Sequence, residues 1–384
     1  MLIKTLEFKQ AANKILLAYG SDKQAANLEL VVNGQNLYLN VTNTEFYVSV
    51  AFPIEQTITF RAVVDAVAFL DLISNITTEE FDLQVDDRAL NIKAGKSKYK
   101  LPLIYENNTL MTLPVISITN KTVEMNISND ILMSILNVNS KELQKAKGRT
   151  DLSELQRLYY IDETGCFTFT TGACLNAFTL EKPIKLLLNE RIVKLFKLFS
   201  DDVIFTLGYD PIKNSARLQT KISLYGNGVY VAAILMIDDL LLTKVQGPCE
   251  AMKALIKDIY DYNLVLATND LNSAITRLLS FNKHTAVNKE NPYYIEANIL
   301  ISGNEFQISD INGNTETVTI ENGSFVKEDY KIRVNLLDIK YVLDSCKIDR
   351  ISLNCGNGRA IIVNRGTISN VIKDYSPSMA ETEE

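Results

Sequence analysis

Histidine is nearly absent from this chain: there is one residue, His284, in 384. A lone imidazole in the polar stretch FNKHTAVNKEN has no companion with which to hold a metal, so it reads as a solvated loop residue. Tryptophan is missing altogether, and the five cysteines (Cys166, Cys174, Cys249, Cys346, Cys355) are too few and too scattered for a disulfide framework. None has C-x-x-C spacing, which leaves reduced thiols as the expectation. Cys174 has no histidine base in reach, so thiol catalysis is not expected. No carboxylates pair as an acid and a base. Gly95-Lys96-Ser97 has the ending of a phosphate-binding loop, but Leu90 stands where its first glycine is required, and the context is strand–turn–strand rather than strand–loop–helix. The chain is expected to be no enzyme and to need no cofactor.

There is also no apolar run of membrane-spanning length, and MLIKTLEFKQ lacks the basic-then-apolar plan of a signal peptide. A cytoplasmic protein is expected. A net charge of −7 excludes a generally basic nucleic-acid binder. It leaves room for a local basic surface, because steering depends on how charge is distributed.

What the chain does have is ordinary globular composition, 47% hydrophobic and 22% charged. Its length suggests two or three domains. A strand running directly into an amphipathic helix recurs along it. First members of each pair are LIKTLEFKQAANKILLAY from Leu2, TVEMNISNDILMSILNV from Thr122 and NLVLATNDLNSAITRLLSF from Asn263. Second members are TITFRAVVDAVAFLDLIS from Thr57, KLLLNERIVKLFKLFS from Lys185 and KIRVNLLDIKYVLDSC from Lys331. Ser128, Asn189, Thr268 and Asn335 stand where a side-chain oxygen accepts from a first-turn N–H, and Asp338 adds negative charge there. Hairpins follow each second helix, and Asn357-Gly358 is a two-residue hairpin signal. The pattern is an α+β repeat protein of three similar domains, each internally doubled as strand, helix and hairpin. Boundaries are expected near Leu113-Pro114 and Gln246-Pro248, giving 1–113, 114–247 and 248–384, with a short extra helix over Cys249–Tyr260.

That organisation resembles the bacterial DNA polymerase III beta subunit, the sliding clamp, over essentially the whole chain. AGKSKYKLPL (Ala94–Leu103) is similar to the strand that closes the family's first domain. TGACLNAF (Thr171–Phe178) stands where the family has a Thr-Asp-Gly-His-Arg-Leu-Ala run. NLLDIKYVLDSC (Asn335–Cys346) matches the Asn…Tyr-Val-Leu-Asp helix of the third domain. The resemblance implies a homodimer whose two chains close a ring, helices inside and sheets outside. Such a ring is a processivity factor that encircles duplex DNA and tethers the polymerase, the clamp loader and other proteins through short peptide motifs. It fits a bacterial or a bacteriophage source.

Helices lining the hole are expected to offer sparse positive charge to phosphates, without sequence preference and with salt sensitivity. In Asn189–Ser200, Arg191, Lys194 and Lys197 share one stripe while Ile192, Leu195, Phe196 and Phe199 face away. Lys141, Lys145, Lys147 and Arg149 form a second basic group, and Lys9, Lys14, Lys23, Arg61, Arg277, Lys283 and Lys340 are further candidates. Each is equally compatible with an ordinary solvated face. By position in the family, the partner-peptide pocket draws on Thr171, Gly172, Ala173, Cys174, Leu175 and Asn176, with Tyr341, Val371 and Ile372. A buried strand and turn is the alternative for that run. The chain departs from the family here: Asp-Gly-His-Arg-Leu becomes Gly-Ala-Cys-Leu-Asn, and the Met-Pro-Met tail becomes KDYSPSMAETEE. For ring closure the candidates are Tyr99 and Leu101 against Leu279 and Phe281, with core positions the alternative for Leu101 and Leu279.

Two other classes stay open. A clamp-fold interaction scaffold that never encircles DNA would leave its basic helices facing solvent without converging. A repeat-built enzyme would need a convergent polar pocket, for which the sequence offers no candidate.

Overall fold

The computed structural model describes residues 1–20, 26–55, 59–138, 158–169, 173–212, 218–235, 239–282, 294–325 and 329–375. Within them the chain is α+β with sheets predominating. It divides into two compact units, Met1–Leu136 with Leu188–Ile237, and Asn137–Leu187 with Asp238–Glu384.

Each strand–helix junction read from the sequence forms. Leu2–Lys4 leads into α1 (Thr5–Gly20), Arg61–Asp65 into α2 (Ala66–Asn75) and Lys121–Ile127 into α3 (Asn129–Asn137). Lys185–Asn189 leads into α4 (Glu190–Lys194), which tightens into a 3-10 turn over Leu195–Leu198. After α5 (Asp239–Lys257), Tyr262–Ala267 leads into α6 (Thr268–Asn282) and Asp329–Asn335 into α7 (Leu336–Asp344). The switch from alternating to helical burial coincides with a capping side chain at most junctions. Asn189 Oδ1 accepts from the Ile192 N–H at 3.0 Å, Asn335 Oδ1 from Leu337 at 3.2 Å and Ser128 Oγ from Ile131 at 3.4 Å.

Thr268 departs from that expectation. It is the first helical residue, its N–H donates to the Asp349 carbonyl, and its buried hydroxyl has no partner. Asp65, not expected as a cap, holds the start of α2 through the Ala68 N–H at 2.8 Å. The short helix expected over Cys249–Tyr260 is the second half of the longer α5, which carries Pro248 in its interior. Proline removes one helical hydrogen bond, but tertiary packing here outweighs the breaker signal. Asn357-Gly358 is not a two-residue hairpin either. The ladder between Arg350–Cys355 and Ala360–Arg365 ends at Asn354 opposite Ile362, and the Asn357 side chain caps the wider loop by accepting from the Arg359 and Ala360 N–H groups.

The first unit holds a four-stranded sheet in the order Leu2–Lys4, Glu80–Val85, Ala89–Ala94, Ser97–Pro102. It also holds an eight-stranded sheet, in the order Lys121–Ile127, Val203–Pro211, Leu218–Gly226, Val229–Leu235, Phe46–Pro53, Asn36–Thr42, Asn27–Asn33, Arg61–Asp65. Its core gathers around Phe8 of α1, fully buried, with ring centroids 5.2 Å from Phe52, 6.2 Å from Phe69 and 5.4 Å from Phe81. Residues 111–118 cross the eight-stranded sheet as a strap. Arg61 donates to the Met111 carbonyl at 2.7 Å, Tyr230 to that of Ile116 at 3.4 Å and Lys221 to that of Ser117 at 3.0 Å.

The second unit carries a twelve-stranded sheet. Its strand order is Lys185–Asn189, Leu158–Asp162, Gly165–Thr168, Ala173–Ala177, Ile368–Lys373, Ala360–Arg365, Arg350–Cys355, Tyr262–Ala267, Thr315–Phe325, Glu305–Asp310, Glu296–Ser302, Asp329–Asn335. Helices α6 and α7 lie over one face, where Leu271, Ile275, Leu278, Ile339 and Leu343 pack with Leu264, Ile361, Val363 and Ile372.

Candidate functional site

In the first unit the basic candidates separate into two faces. Lys9 and Lys14 are half-buried on α1, and Lys9 Nζ donates to the Ser74 carbonyl at 2.8 Å, tying α1 to the end of α2. On α4, Arg191 lies 3.6 Å from Glu45 and Lys194 2.8 Å from Glu190, while Lys197 is exposed with no acidic partner among the described residues. Arg61 does not join them. Phe52, which packs on Phe8 of α1, shares its face with Leu37 and Val32, whereas Arg61 pairs with Val31, one residue out of phase. In a strand that places Arg61 on the face away from α1. There its guanidinium is bound to Glu29 at 2.6 Å and to the strap. The outward side of α1 is also less basic than expected: Leu6 is 75% exposed and Leu17 53%.

In the second unit Arg277 makes a two-pronged contact with Glu316, at 2.8 and 2.7 Å. Lys340 is mostly buried between Asp344 and the Asn272 side chain. Both cations are already neutralised, Arg277 by a carboxylate 39 residues away and Lys340 by one a helical turn along α7. Lys23, Lys141, Lys145, Lys147, Arg149 and Lys283, like His284, lie outside the described residues.

The peptide-pocket candidates meet on paired strands. Ala173–Ala177 pairs antiparallel with Ile368–Lys373, placing Val371 opposite Ala173, Asn370 opposite Cys174 and Ser369 opposite Leu175. Alternation then divides the set. Cys174, Asn176 and Ile372 belong to the face covered by α6 and α7, and all three are buried. Leu175 and Val371 belong to the other face with Tyr160 and Phe167. Helix α5 lies over that second face, since Lys253 bridges Asp162 at 3.0 Å and sits 5.3 Å from the centre of the Phe167 ring. Thr171 and Gly172 lie outside the described residues. Tyr341 is half-buried on α7, one turn after Asp338.

Sequence reasoning overlooked the end of the terminal strand. Lys373 is exposed, two residues beyond Val371 and therefore on its face, and Lys373 Nζ lies 4.9 Å from the centre of the Tyr375 ring. Tyr375 packs edge-on against Tyr294 at 5.5 Å, and its pKa is raised by burial and by the charge of Asp338. The i, i+2 spacing from Val371 was the available signal.

Three groups of this region are poorly placed to act as nucleophiles. Burial drives the Cys166 thiol well up, and burial with Asp162 lifts Cys249 to about 12 and Tyr160 to about 12, so all three stay protonated at neutral pH. No cluster of metal ligands occurs among the described residues, and none of their helices is long and apolar enough to cross a membrane.

The ring-closure candidates fall on different kinds of surface. Ser97–Pro102 is the open edge of the four-stranded sheet; Tyr99 is 39% exposed there and Leu101 half-buried. Lys98 stands directly opposite Lys93, a like-charge pair that destabilises an isolated hairpin. Phe281 is 62% exposed at the end of α6, but Leu279 is a core residue.

No family model and no curated protein matches the sequence. Solved structures do match. The beta subunit of the DNA polymerase of Streptococcus pyogenes gives a TM-score of 0.76 at 14% identity, covering 98% of this chain and 99% of that one. The DNA polymerase III beta subunit of Pseudomonas aeruginosa gives 0.72 at 15%, over 97% and 99%. The Helicobacter pylori beta clamp bound to a DNA ligase peptide gives 0.68 at 15%, over 98% and 99%.

Proposed function

We propose that this chain, whose fold is that of the DNA polymerase III beta-subunit sliding clamps along nearly its whole length, is itself a sliding clamp. It encircles duplex DNA as a homodimer and tethers replication and repair proteins to it. The observation that carries this reading is the extent of the likeness: 97–98% of this chain against 99% of each solved clamp named above.

In this reading the chain is three domains, 1–113, 114–247 and 248–384, and two copies close head to tail. The open strand Ser97–Pro102 of one copy needs a partner, because an exposed edge with free N–H and C=O groups invites pairing. A second copy meets that need by bringing its third domain, with Phe281, to Tyr99 and Leu101. Lys9, Lys14, Arg191, Lys194 and Lys197 approach the phosphates. These contacts are few, which suits a ring held by topology rather than by affinity. Partners dock through short apolar peptides against the second unit, as the Helicobacter pylori clamp holds a ligase peptide.

A scaffold that shares the fold without encircling DNA is favoured by one observation, the exposed leucines Leu6, Leu16 and Leu17 on α1. Retention on nicked circular against linear duplex, loaded with a clamp loader, separates the two. A dimer that stays on circles and runs off linear ends supports the clamp. A monomer, or equal loss from both DNAs, leaves the scaffold.

A further inference from the structure

A cavity of about 140 Å³ opens in the first unit. The four-stranded sheet lines it with Leu2–Lys4 and Glu80, and the eight-stranded sheet with Phe52 and Pro53. Glu7 joins from α1, and Ile54 and Glu55 from just past the end of Phe46–Pro53. Its apolar lining is firm, since Ile3, Phe52 and Ile54 are all buried. Its charge is lopsided. Glu7, Glu55 and Glu80 line it, all exposed, against the single cation Lys4, which stands 3.6 Å from Glu7. Glu55 and Glu80 have no basic partner among the described residues.

That balance excludes duplex DNA as the occupant, because the carboxylates repel its phosphates. Nor do the acids gather as metal ligands, for no such cluster occurs among the described residues. Carboxylates spread around an apolar hollow suit a cation that is itself broad, weakly hydrated and rich in donors, which is a guanidinium. The methylene stem of an arginine packs on the apolar lining while its head reaches the acids. Leu2, 55% exposed beside the cavity, gives an adjoining apolar side chain a surface to pack on. We propose that this cavity docks an arginine of a partner polypeptide, carried next to an apolar residue. It is a contact surface of the first unit and does not depend on the peptide docking proposed for the second.

Ile3 and Ile54 line the cavity, so their δ1 methyl groups report on it in methyl NMR of the full-length protein. The probe is acetyl-Leu-Arg-Leu-amide, compared with its citrulline analogue, a neutral isostere, and with arginine amide alone. The arginine peptide should shift both methyl resonances. The citrulline form should bind about fivefold more weakly, the scale of an exposed charge pair. Glu55→Gln combined with Glu80→Gln should weaken the arginine peptide about tenfold, and Lys4→Met should strengthen it about twofold. All three positions are exposed, so the variants should melt like wild type. No shift at millimolar peptide, shifts confined to other methyls, equal binding of the citrulline form, or indifference to the Glu55 and Glu80 changes overturns the site. Arginine amide binding as tightly as the peptide overturns the polypeptide occupant. Retention on circular DNA is a separate readout, so the clamp reading stands or falls apart from this one.

Discussion

Asp210 and Lys221 meet diagonally across neighbouring strands, with 2.9 Å between Oδ2 and Nζ. The Thr119 hydroxyl donates to the same carboxylate at 2.6 Å, and the Asn120 N–H at 2.9 Å. Burial alone would raise the pKa of Asp210. Donors on Thr119, Asn120 and Lys221 outweigh it and hold the carboxyl well below its ordinary 3.8. A carboxyl depressed in the folded state contributes stability that is fully present above the unfolded pKa and lost as pH falls through the folded one. Asp210→Asn should therefore lower stability by about 1–3 kcal/mol at neutral pH. The gap in Tm from wild type should stay constant from about pH 8 to 5 and narrow below about pH 4. Thermal melts across that range check it; a gap that widens on acidification contradicts the linkage.

Arg61 and Lys197 should separate fold from DNA contact. Removing the Arg61 guanidinium leaves the Glu29 carboxylate, whose side chain is 8% exposed, with Asn40 as its one side-chain partner among the described residues. Arg61→Ala is expected to destabilise by about 3 kcal/mol and to leave the salt dependence of DNA binding unchanged. Lys197→Ala should do the reverse, shifting stability by less than about 0.5 kcal/mol and reducing the slope of log affinity against log salt by about 1. Chemical denaturation and a salt titration on duplex DNA decide between them.

Gly208 is fixed by a close approach. A Cβ there would stand 2.2 Å from Ile118 Cγ2 and 2.5 Å from the Asn120 carbonyl oxygen. Since the carbonyl belongs to the segment that binds Asp210, neither neighbour can withdraw freely. Gly208→Ala should destabilise by about 1–3 kcal/mol, as overpacking does, with the loss read in urea unfolding. A neutral outcome would mean that the strap yields.

Tyr99→Asp tests the open edge of the four-stranded sheet. The side chain is 39% exposed, so the fold should tolerate the change within about 0.5–1 kcal/mol. If the edge closes a ring, sedimentation should show a monomer where wild type is a dimer, and retention on circular DNA should vanish. An unchanged dimer would move the interface elsewhere.

Legibility in the sequence followed the range of the interaction. Strand–helix junctions could be read because the change of period and the caps at Asn189 and Asn335 are local. On α6 the sequence left Leu279 open between ring closure and core; it lies one turn from Ile275 on the buried stripe, and Phe281 lies off it. The partners of the cations were readable only where they lie one helical turn away, as Glu190 does from Lys194 and Asp344 from Lys340. Glu316 for Arg277, Glu29 for Arg61 and Asn272 for Lys340 are all distant in sequence. Likewise the division of Cys174 and Leu175 between opposite faces depends on a register with Ile368–Lys373 that no short window contains. Thr268 shows the opposite error, a correct local signal overridden because the Asp349 carbonyl meets the chain first.

The strap over the eight-stranded sheet is held through its main-chain carbonyls, while every one of those donors sits on a strand beneath it. A carbonyl is the same whichever side chain its residue bears. The exposed positions of the crossing segment, Val115 at 60% most of all, are thus free to change without loosening its anchorage, whereas Leu113 and Ile116 are also held by their buried side chains. The obligation to stay constant falls on those two and, in the sheet, on Arg61, Lys221 and Tyr230. A connection that carries the chain across eight strands can in this way drift in sequence while its path stays put.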